Sequence, residues 1–341
     1  AGNYELYFDY LALPGNGKNI GFSVSIDGAV PFSDFESVSL PRIWKDSESD
    51  FTENGVFKKD ETGNQIRPKQ IEIQQWQETA LYDSQGLYSE PYFVYFEKGH
   101  HTLKVNALQE SVAIASITLK NSKALKSYEE YISNYSDAQT VSCNLITVQA
   151  EYTYTKNNSL LYPTYDRNDP FAMPSDARFT VLNTIGQSNW STQGDEISWK
   201  IKVEQPGLYK LSFRVKQNYN KGMISHRVLK INGEIPFSEA ADLGFEYRQS
   251  WYISTFGGDD PYYIYLQDGD VLSLTCTTGS VSEILRDVRA SLLELNNIYR
   301  EIISITSTEP DIYRDYSLNK QIPDLEERLI NESDEINKIS D

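Results

Sequence analysis

Cysteine, histidine and methionine are nearly missing from this chain, with two, three and two copies in 341 residues. Two cysteines, Cys143 and Cys276, cannot build a disulfide framework. They leave a single bridge or two free buried thiols open and do not set the compartment. The histidines, His100, His101 and His226, sit in no nucleophile motif, which leaves little room for Ser-His-Asp or Cys-His chemistry. No His-Glu-x-x-His spacing and no Rossmann or P-loop glycine pattern occurs. Positive charge is scarce as well: 31 Lys and Arg face 49 Asp and Glu, for a net charge of −18. So acidic a chain lacks the clustered cations that nucleic acid requires and is disfavoured at an anionic membrane. No apolar run reaches the ~18 residues of a membrane span, so direct membrane insertion is not expected. The opening Ala1-Gly2-Asn3-Tyr4 carries no signal-peptide pattern and runs straight into a strand pattern. A cleaved or truncated start is the expectation there.

Aromatic residues are plentiful: 24 Tyr, 14 Phe and 5 Trp. Most such rings fill strands, although Tyr also serves as flat contact area with a polar tip. They recur within an internal duplication. Tyr4-Glu5-Leu6-Tyr7-Phe8 through Ile26-Asp27-Gly28-Ala29-Val30-Pro31-Phe32 returns as Tyr209-Lys210-Leu211-Ser212-Phe213 through Ile231-Asn232-Gly233-Glu234-Ile235-Pro236-Phe237, 205 positions later. Pro91–Gly99 returns as Pro261–Gly269, 170 positions later, so the first copy carries 35 extra residues between the blocks. Tyr4, Leu6, Phe8 and Tyr10 alternate with polar residues, as a half-buried strand does. Asp27-Gly28 and Asn232-Gly233 are type I′ hairpin dipeptides, since both central positions of that turn need positive φ. Lys98-Gly99 and Asp268-Gly269 read as turns before strands at His101–Val105 and Val271–Cys276.

After Gly279 the period changes. Leu285, Val288, Leu292, Leu295, Tyr299, Ile302 and Ile303 recur at helical spacing, which predicts a helix of about 25 residues from about Ser282. Ser280 and Glu283 are placed for a capping box. After a loop at Glu309–Tyr316, a second helix is expected to start with Pro323 in its first turn beside Asp324, Glu326 and Glu327. Its pattern runs to the last residues given, as expected of a cut C-terminus. The fold expected is mainly β: two tandem β-sandwich (jelly-roll) modules plus a C-terminal α-helical segment. Module 1 spans 1–121, with its N-terminal strand expected to be missing. A linker at 122–144 carries a short helix at Tyr128–Ile132. Module 2 spans 145–280 and opens with a strand at Leu145–Glu151. The helical segment, expected to be truncated, spans 281–341.

Val148-Gln149-Ala150-Glu151, Trp199 and Val203-Glu204-Gln205-Pro206-Gly207-Leu208-Tyr209 together resemble the jelly-roll carbohydrate-binding modules of families 6 and 35, which have a galactose-binding-like fold. The likeness covers both copies. Leu182–Gly186, Pro236-Phe237, Tyr299-Arg300, Tyr313–Tyr316, Leu40–Trp44 and Arg67–Gln70 are similar to large Gram-positive surface proteins. Those proteins join such modules to the extracellular solute-binding component of a sugar ABC transporter, with a helical bundle inserted before the module's closing strand.

The resemblance implies an extracellular, cell-surface role and an oligo- or polysaccharide partner. It also implies intramolecular contact with a solute-binding domain outside this chain. A structural calcium ion is a further implication, with Glu151 matching the opening-strand ligand; the matching closing position in copy one, Ala115, cannot ligate. No cofactor is otherwise required. Sugar binding needs an aromatic platform and planar polar partners on edge loops. The copy-two candidates are Trp190, Trp251, Tyr252, Tyr165, Asp166, Arg167, Gln217 and Asn218; the copy-one insertion adds Trp44, Arg67 and Trp76. Trp199, inside an alternating strand, reads as core. With 49 acids, spacing alone cannot select a glycosidase pair, and no catalytic residue is assigned. The function expected is non-catalytic glycan binding by an accessory region of a sugar-uptake protein. A structural spacer or protein-interaction region is the alternative, and a hydrolase or lyase stands behind both.

Overall fold

The alternation at Tyr4–Tyr10 becomes strand β1 (Gly2–Ala12), whose Leu6, Phe8 and Tyr10 are fully buried. The computed structural model describes residues 1–83, 85–141 and 145–340. Module 1 continues through β2 (Ile20–Ile26), β3 (Val38–Leu40), β4 (Ile43–Asp46), β5 (Gln70–Ile73), β6 (Gln77–Ala80), β7 (Phe93–Phe96), β8 (Leu103–Gln109) and β9 (Val112–Lys120). One antiparallel sheet sets β1 between β9 and the β6 and β7 strands, and a second has the order β3-β2-β8. Their facing residues, among them Phe22, Val24, Leu40, Leu81 and Val94, form one apolar core.

Module 2 comprises β10 (Thr155–Lys156), β11 (Pro163–Thr164), β12 (Thr184–Ile185), β13 (Glu196–Lys200), β14 (Gly207–Lys210), β15 (Ser212–Val215), β16 (Ser225–Ile231), β17 (Leu243–Phe245), β18 (Tyr252–Thr255), β19 (Tyr263–Leu266) and β20 (Val271–Thr277). Its own core holds Ile197, Trp199, Leu229, Phe237, Ile264 and Leu274. The duplication reads through residue by residue. β16 and β17 are β2 and β3 displaced by 205 positions, and a short 3-10 turn follows the hairpin in each copy, at Ser33–Glu36 and Ser238–Ala241. Both hairpin dipeptides take positive φ, 52° and 83° at Asp27-Gly28 and 52° and 85° at Asn232-Gly233, as a type I′ turn requires.

The extra residues of copy one do not form a loose loop. Their β4 and β5 continue the sheet of the other module, which runs β17-β16-β20-β13-β10-β4-β5. Trp44 pairs with Lys156 across the join. The side chains there are buried: Lys156 Nζ donates to Asp46 Oδ1 at 2.7 Å, and Asp46 also accepts from Gln70 and Thr153. Burial holds the Lys156 ammonium below the usual lysine range, and Asp46 pulls it back. Beside this, Phe57 stacks on Tyr152 at 4.5 Å between centroids. Residues 1–279 accordingly form one compact unit, and 280–341 a second.

Three expectations change. Leu145–Gln149 is not a strand; Leu145 is 91% exposed and the first pairing of module 2 waits until β10. An alternating sequence makes a strand only where an edge and an apolar face receive it, and among the described residues this segment pairs with no strand. The linker does more than connect. Its helix α1 (Tyr128–Ser133) carries a complete capping box from Ser127 and Glu130. Tyr128 and Tyr131 pack on Phe237 in the module 2 core, and their hydroxyls accept from the Tyr263 and Tyr265 amides. Gly207, in the Gly-x-Tyr motif, is required by that linker: a Cβ there would lie 2.4 Å from Val141 Cγ2. The capping box expected at Ser280 does not form, because Ser280 itself takes helical φ and ψ and its side chain makes no cap bond. Cys276 is a free, buried thiol, while Cys143 lies outside the described residues.

The helical unit holds α2 (Val281–Thr306), α3 (Leu318–Gln321) and α4 (Leu325–Ser340). Arg328 of α4 bridges to Glu294 and Glu301 on α2, at 2.7 and 2.8 Å. Ser291, Ile298 and Thr306 form the buried stripe of α2, leaving Leu285, Val288, Leu292 and Tyr299 exposed. Among the described residues no helix is long and apolar enough to cross a membrane.

Candidate functional site

Three separate stretches of module 2 meet at Asp166. It lies in the loop after β11, where its amide donates to Asn183 Oδ1 and its carbonyl accepts from Asn183 Nδ2. Its Oδ2 accepts from Trp251 Nε1 at 2.9 Å and from Lys216 Nζ at 2.8 Å. Lys216, just past β15, also faces Asp169 at 3.5 Å, and Asp169 accepts the Trp251 amide at 3.1 Å. One indole, one ammonium and two carboxylates are thus locked together. Burial pushes both aspartates upward, but their hydrogen bonds and the Lys216 charge outweigh it and hold them below the usual carboxylate range. Lys216 loses some proton affinity to burial and regains more from the two carboxylates, ending above the usual lysine range. The cluster stays charged across neutral pH.

Rings surround it. Tyr165 is 49% exposed, and its carbonyl accepts from Gln187. Tyr252 begins β18, half-buried, with Arg248 over its ring at 4.4 Å and its hydroxyl on the Glu246 carbonyl. Tyr219 is 66% exposed. The copy-one insertion steadies the same loop from behind: Asn64 and Gln65 side chains accept the Thr180 and Leu182 amides, immediately before Asn183. Half-exposed rings on a hydrogen-bonded polar base can hold a flat, hydroxyl-rich ligand by stacking and directed bonds.

Of the residues singled out by sequence, the structure brings Trp251, Asp166, Tyr165 and Tyr252 to this neighbourhood. Arg167 is exposed beside them, with a long contact of 3.5 Å to the Ala177 carbonyl. Asn218 is exposed on the loop after Lys216. Gln217 turns inward, its amide spent on the Asn220 and Met223 carbonyls that shape that loop. Trp190 lies elsewhere in the module, its Nε1 on the Asp195 carbonyl and its ring between Trp199 and the Arg227 guanidinium. Trp44 is a strand residue of β4, and Arg67 sits 4.0 Å over the Tyr162 ring, so both serve the join between the modules. Trp76 stands 49% exposed before β6. Asp169 and Lys216 escaped sequence reasoning. A lone Lys between strands looks like a solvated face, and only the fold places two aspartates on it.

Glu151 is 1% exposed, and its Oε1 has no hydrogen-bond partner. Burial pushes its carboxyl up to about 7, with its own backbone bond pulling the other way. A calcium site needs six to eight oxygen ligands. Among the described residues no three His, Cys, Asp or Glu that could hold a metal ion gather around one point.

Residues 283–341 match the family model of the bacterial solute-binding protein, 4-helix bundle domain. The match covers the helical unit and ties the chain to bacterial solute-binding proteins; the β modules lie outside it. No curated protein matches the chain.

Proposed function

We propose that this region binds glycans, without transforming them, on behalf of an extracellular solute-uptake protein of the ABC-transporter kind, and that module 2 carries the site. The observation on which this reading rests is the Asp166–Lys216–Trp251 cluster, with Tyr165 and Tyr252 adjoining its members in the chain. The match of the helical unit to a solute-binding protein domain supports the transport context. The sugar stacks on the half-exposed rings while Arg167 and Asn218 supply hydrogen bonds from the flanking loops. Titration against an oligosaccharide panel tests it. For a glycan that binds the intact chain, Tyr165→Ala should weaken affinity at least tenfold while the melting profile stays unchanged. Undiminished binding by a folded Tyr165→Ala, Tyr252→Ala double variant would remove the site.

A second reading, a rigid spacer, is favoured by the seven-stranded sheet that fuses the modules through β4 and β10. It predicts no glycan affinity in any variant.

A further inference from the structure

The join between β4 and β10 rests on little backbone. β10 is two residues long, and one register pair, Lys156 with Trp44, sets it against β4. The side chains beside that pair are sealed from water: those of Lys156 and Asp46 are 0% and 4% exposed. Their donors and acceptors do not balance. An ammonium carries three donors, and among the described residues Lys156 Nζ finds one acceptor, Asp46 Oδ1 at 2.7 Å. Gln70 Nε2 donates to the same Oδ1 at 2.6 Å, while Gln70 Oε1, also buried, has no hydrogen-bond partner. Asp46 Oδ2 accepts from the Thr153 hydroxyl at 3.1 Å. A buried ion pair with unused donors is unfavourable, because nothing offsets the hydration those donors lose. Burial also favours the neutral amine at Lys156, and a desolvated neutral amine is a nucleophile. Arg42, buried as fully, meets four acceptors and is no nucleophile, so nothing similar is set up there.

We propose that Lys156 and Asp46 condense into an amide, a covalent cross-link that fastens the β4–β5 strands of copy one to module 2. Lys156 passes a proton to Asp46, which leaves an amine facing a carboxylic acid. The Nζ–Cγ bond forms and the Cγ–Oδ2 bond breaks. Oδ2 departs as water, taking the carboxyl proton and one amine proton, with the Thr153 hydroxyl placed to relay them. An amine and an acid give an amide and one water, so atoms and charge balance and no oxidant, metal or cofactor enters. The product removes the mismatch. Two charges disappear from a dry site, and the one N–H that remains has an unused acceptor, Gln70 Oε1, on the side chain already bonded to Asp46. A bond between positions 46 and 156 also restricts the unfolded chain, as any long-loop cross-link does. The reaction lies apart from the Asp166 cluster, and the inference stands whether or not module 2 binds glycan.

The test is mass spectrometry of the full chain, purified in its folded state. The intact mass should fall short of the sequence by one water. Digestion should release one branched species that joins the peptide holding Asp46 to the peptide holding Lys156. The mapping is needed because closure of Asp27-Gly28 to a cyclic imide also removes one water. Lys156→Arg keeps a cation at the join but lacks the amine, and it should regain the full sequence mass. Because the branched peptide is sought in the unaltered chain, the result does not hinge on a variant folding. The full sequence mass in a chain with a cooperative melting transition would overturn the proposal and leave an ordinary ion pair. So would a water loss mapped away from Asp46 and Lys156, or the same loss in Lys156→Arg.

Discussion

Modules 1 and 2 start from the same strand-and-turn text and finish it differently. Copy one keeps β9 beside β1; at the corresponding distance in copy two the chain is already the helix α2. Copy two has β10 and β13 ahead of its repeated block and uses them to extend its sheet past β20, whereas among the described residues β8 of copy one pairs with β2 alone. Copy one in turn spends its extra residues on β4 and β5, which extend the sheet of copy two. The hairpin and the facing apolar residues are shared because each core needs them. The differences fall at sheet edges, where a strand can be added or lent without disturbing what lies inside. A duplicated sandwich can thus keep its hairpin and core while its edge strands are used differently in each copy.

The sharpest way to break the comparison is at the lent strands. Replacing Lys156 by Met leaves Asp46 buried without its cation, which typically costs about 3–5 kcal/mol. Calorimetry should show a large fall in melting temperature, and Asp46→Asn in the same chain should recover part of it. If the single variant melts like wild type, the two modules are not joined through that pair.

Glu151 gives the next largest effect. Its folded carboxyl sits near 7, above the ordinary 4.5, so the folded state favours the neutral acid. The group's contribution is therefore intact below about 4.5 and is lost as pH rises toward 7, a swing of roughly 3 kcal/mol. Glu151→Gln should raise the melting temperature at pH 8, change little at pH 4.5, and flatten the slope between. Adding calcium should leave both proteins where they were.

A smaller effect belongs to the indole of the candidate site. Trp251→Phe keeps a ring but loses the Nε1–H bond to Asp166, and glycan affinity should drop several-fold by titration calorimetry. Asp166 is held low, so its support is present above the ordinary aspartate value of about 3.9 and is lost as acid protonates it. Binding should be flat from pH 5 to 8 and fall only in stronger acid.

The smallest change sharpens the comparison instead of breaking it. Gly28 and Gly233 have φ of 83° and 85° with no heavy atom near an added Cβ. Alanine at either should cost about 1 kcal/mol through backbone strain alone. Equal losses in chemical denaturation would confirm that the two hairpins are energetically the same object.

Much of this was legible beforehand where the signal is local. The alternation at Tyr4–Tyr10, the Asp-Gly and Asn-Gly turns, the helix after Gly279 and the core position of Trp199 all follow from period and turn chemistry acting over a few residues. The candidate site was half legible. Trp251, Tyr252, Tyr165 and Asp166 stand out as rings and polar groups on Pro- and Asn-rich loops, but Lys216 and Asp169 do not, since their meaning lies in partners 50 and 82 residues away. Leu145–Glu151 failed for the opposite reason: a good strand pattern needs a receiving edge, and this segment pairs with none among the described residues.

From its sequence alone this chain is determined to be a duplicated, mainly β protein, acidic and aromatic, with a helical end. Period, turn dipeptides and internal identity carry that information within short windows. Only the tertiary structure decides that the extra residues of copy one extend the sheet of copy two and that Asp166, Lys216 and Trp251 converge. Each of these depends on which strand finds which edge across a hundred residues or more, or on loops brought together by cores that form far from them. Hydrogen bonding and burial choose among such pairings only after the whole chain competes for them.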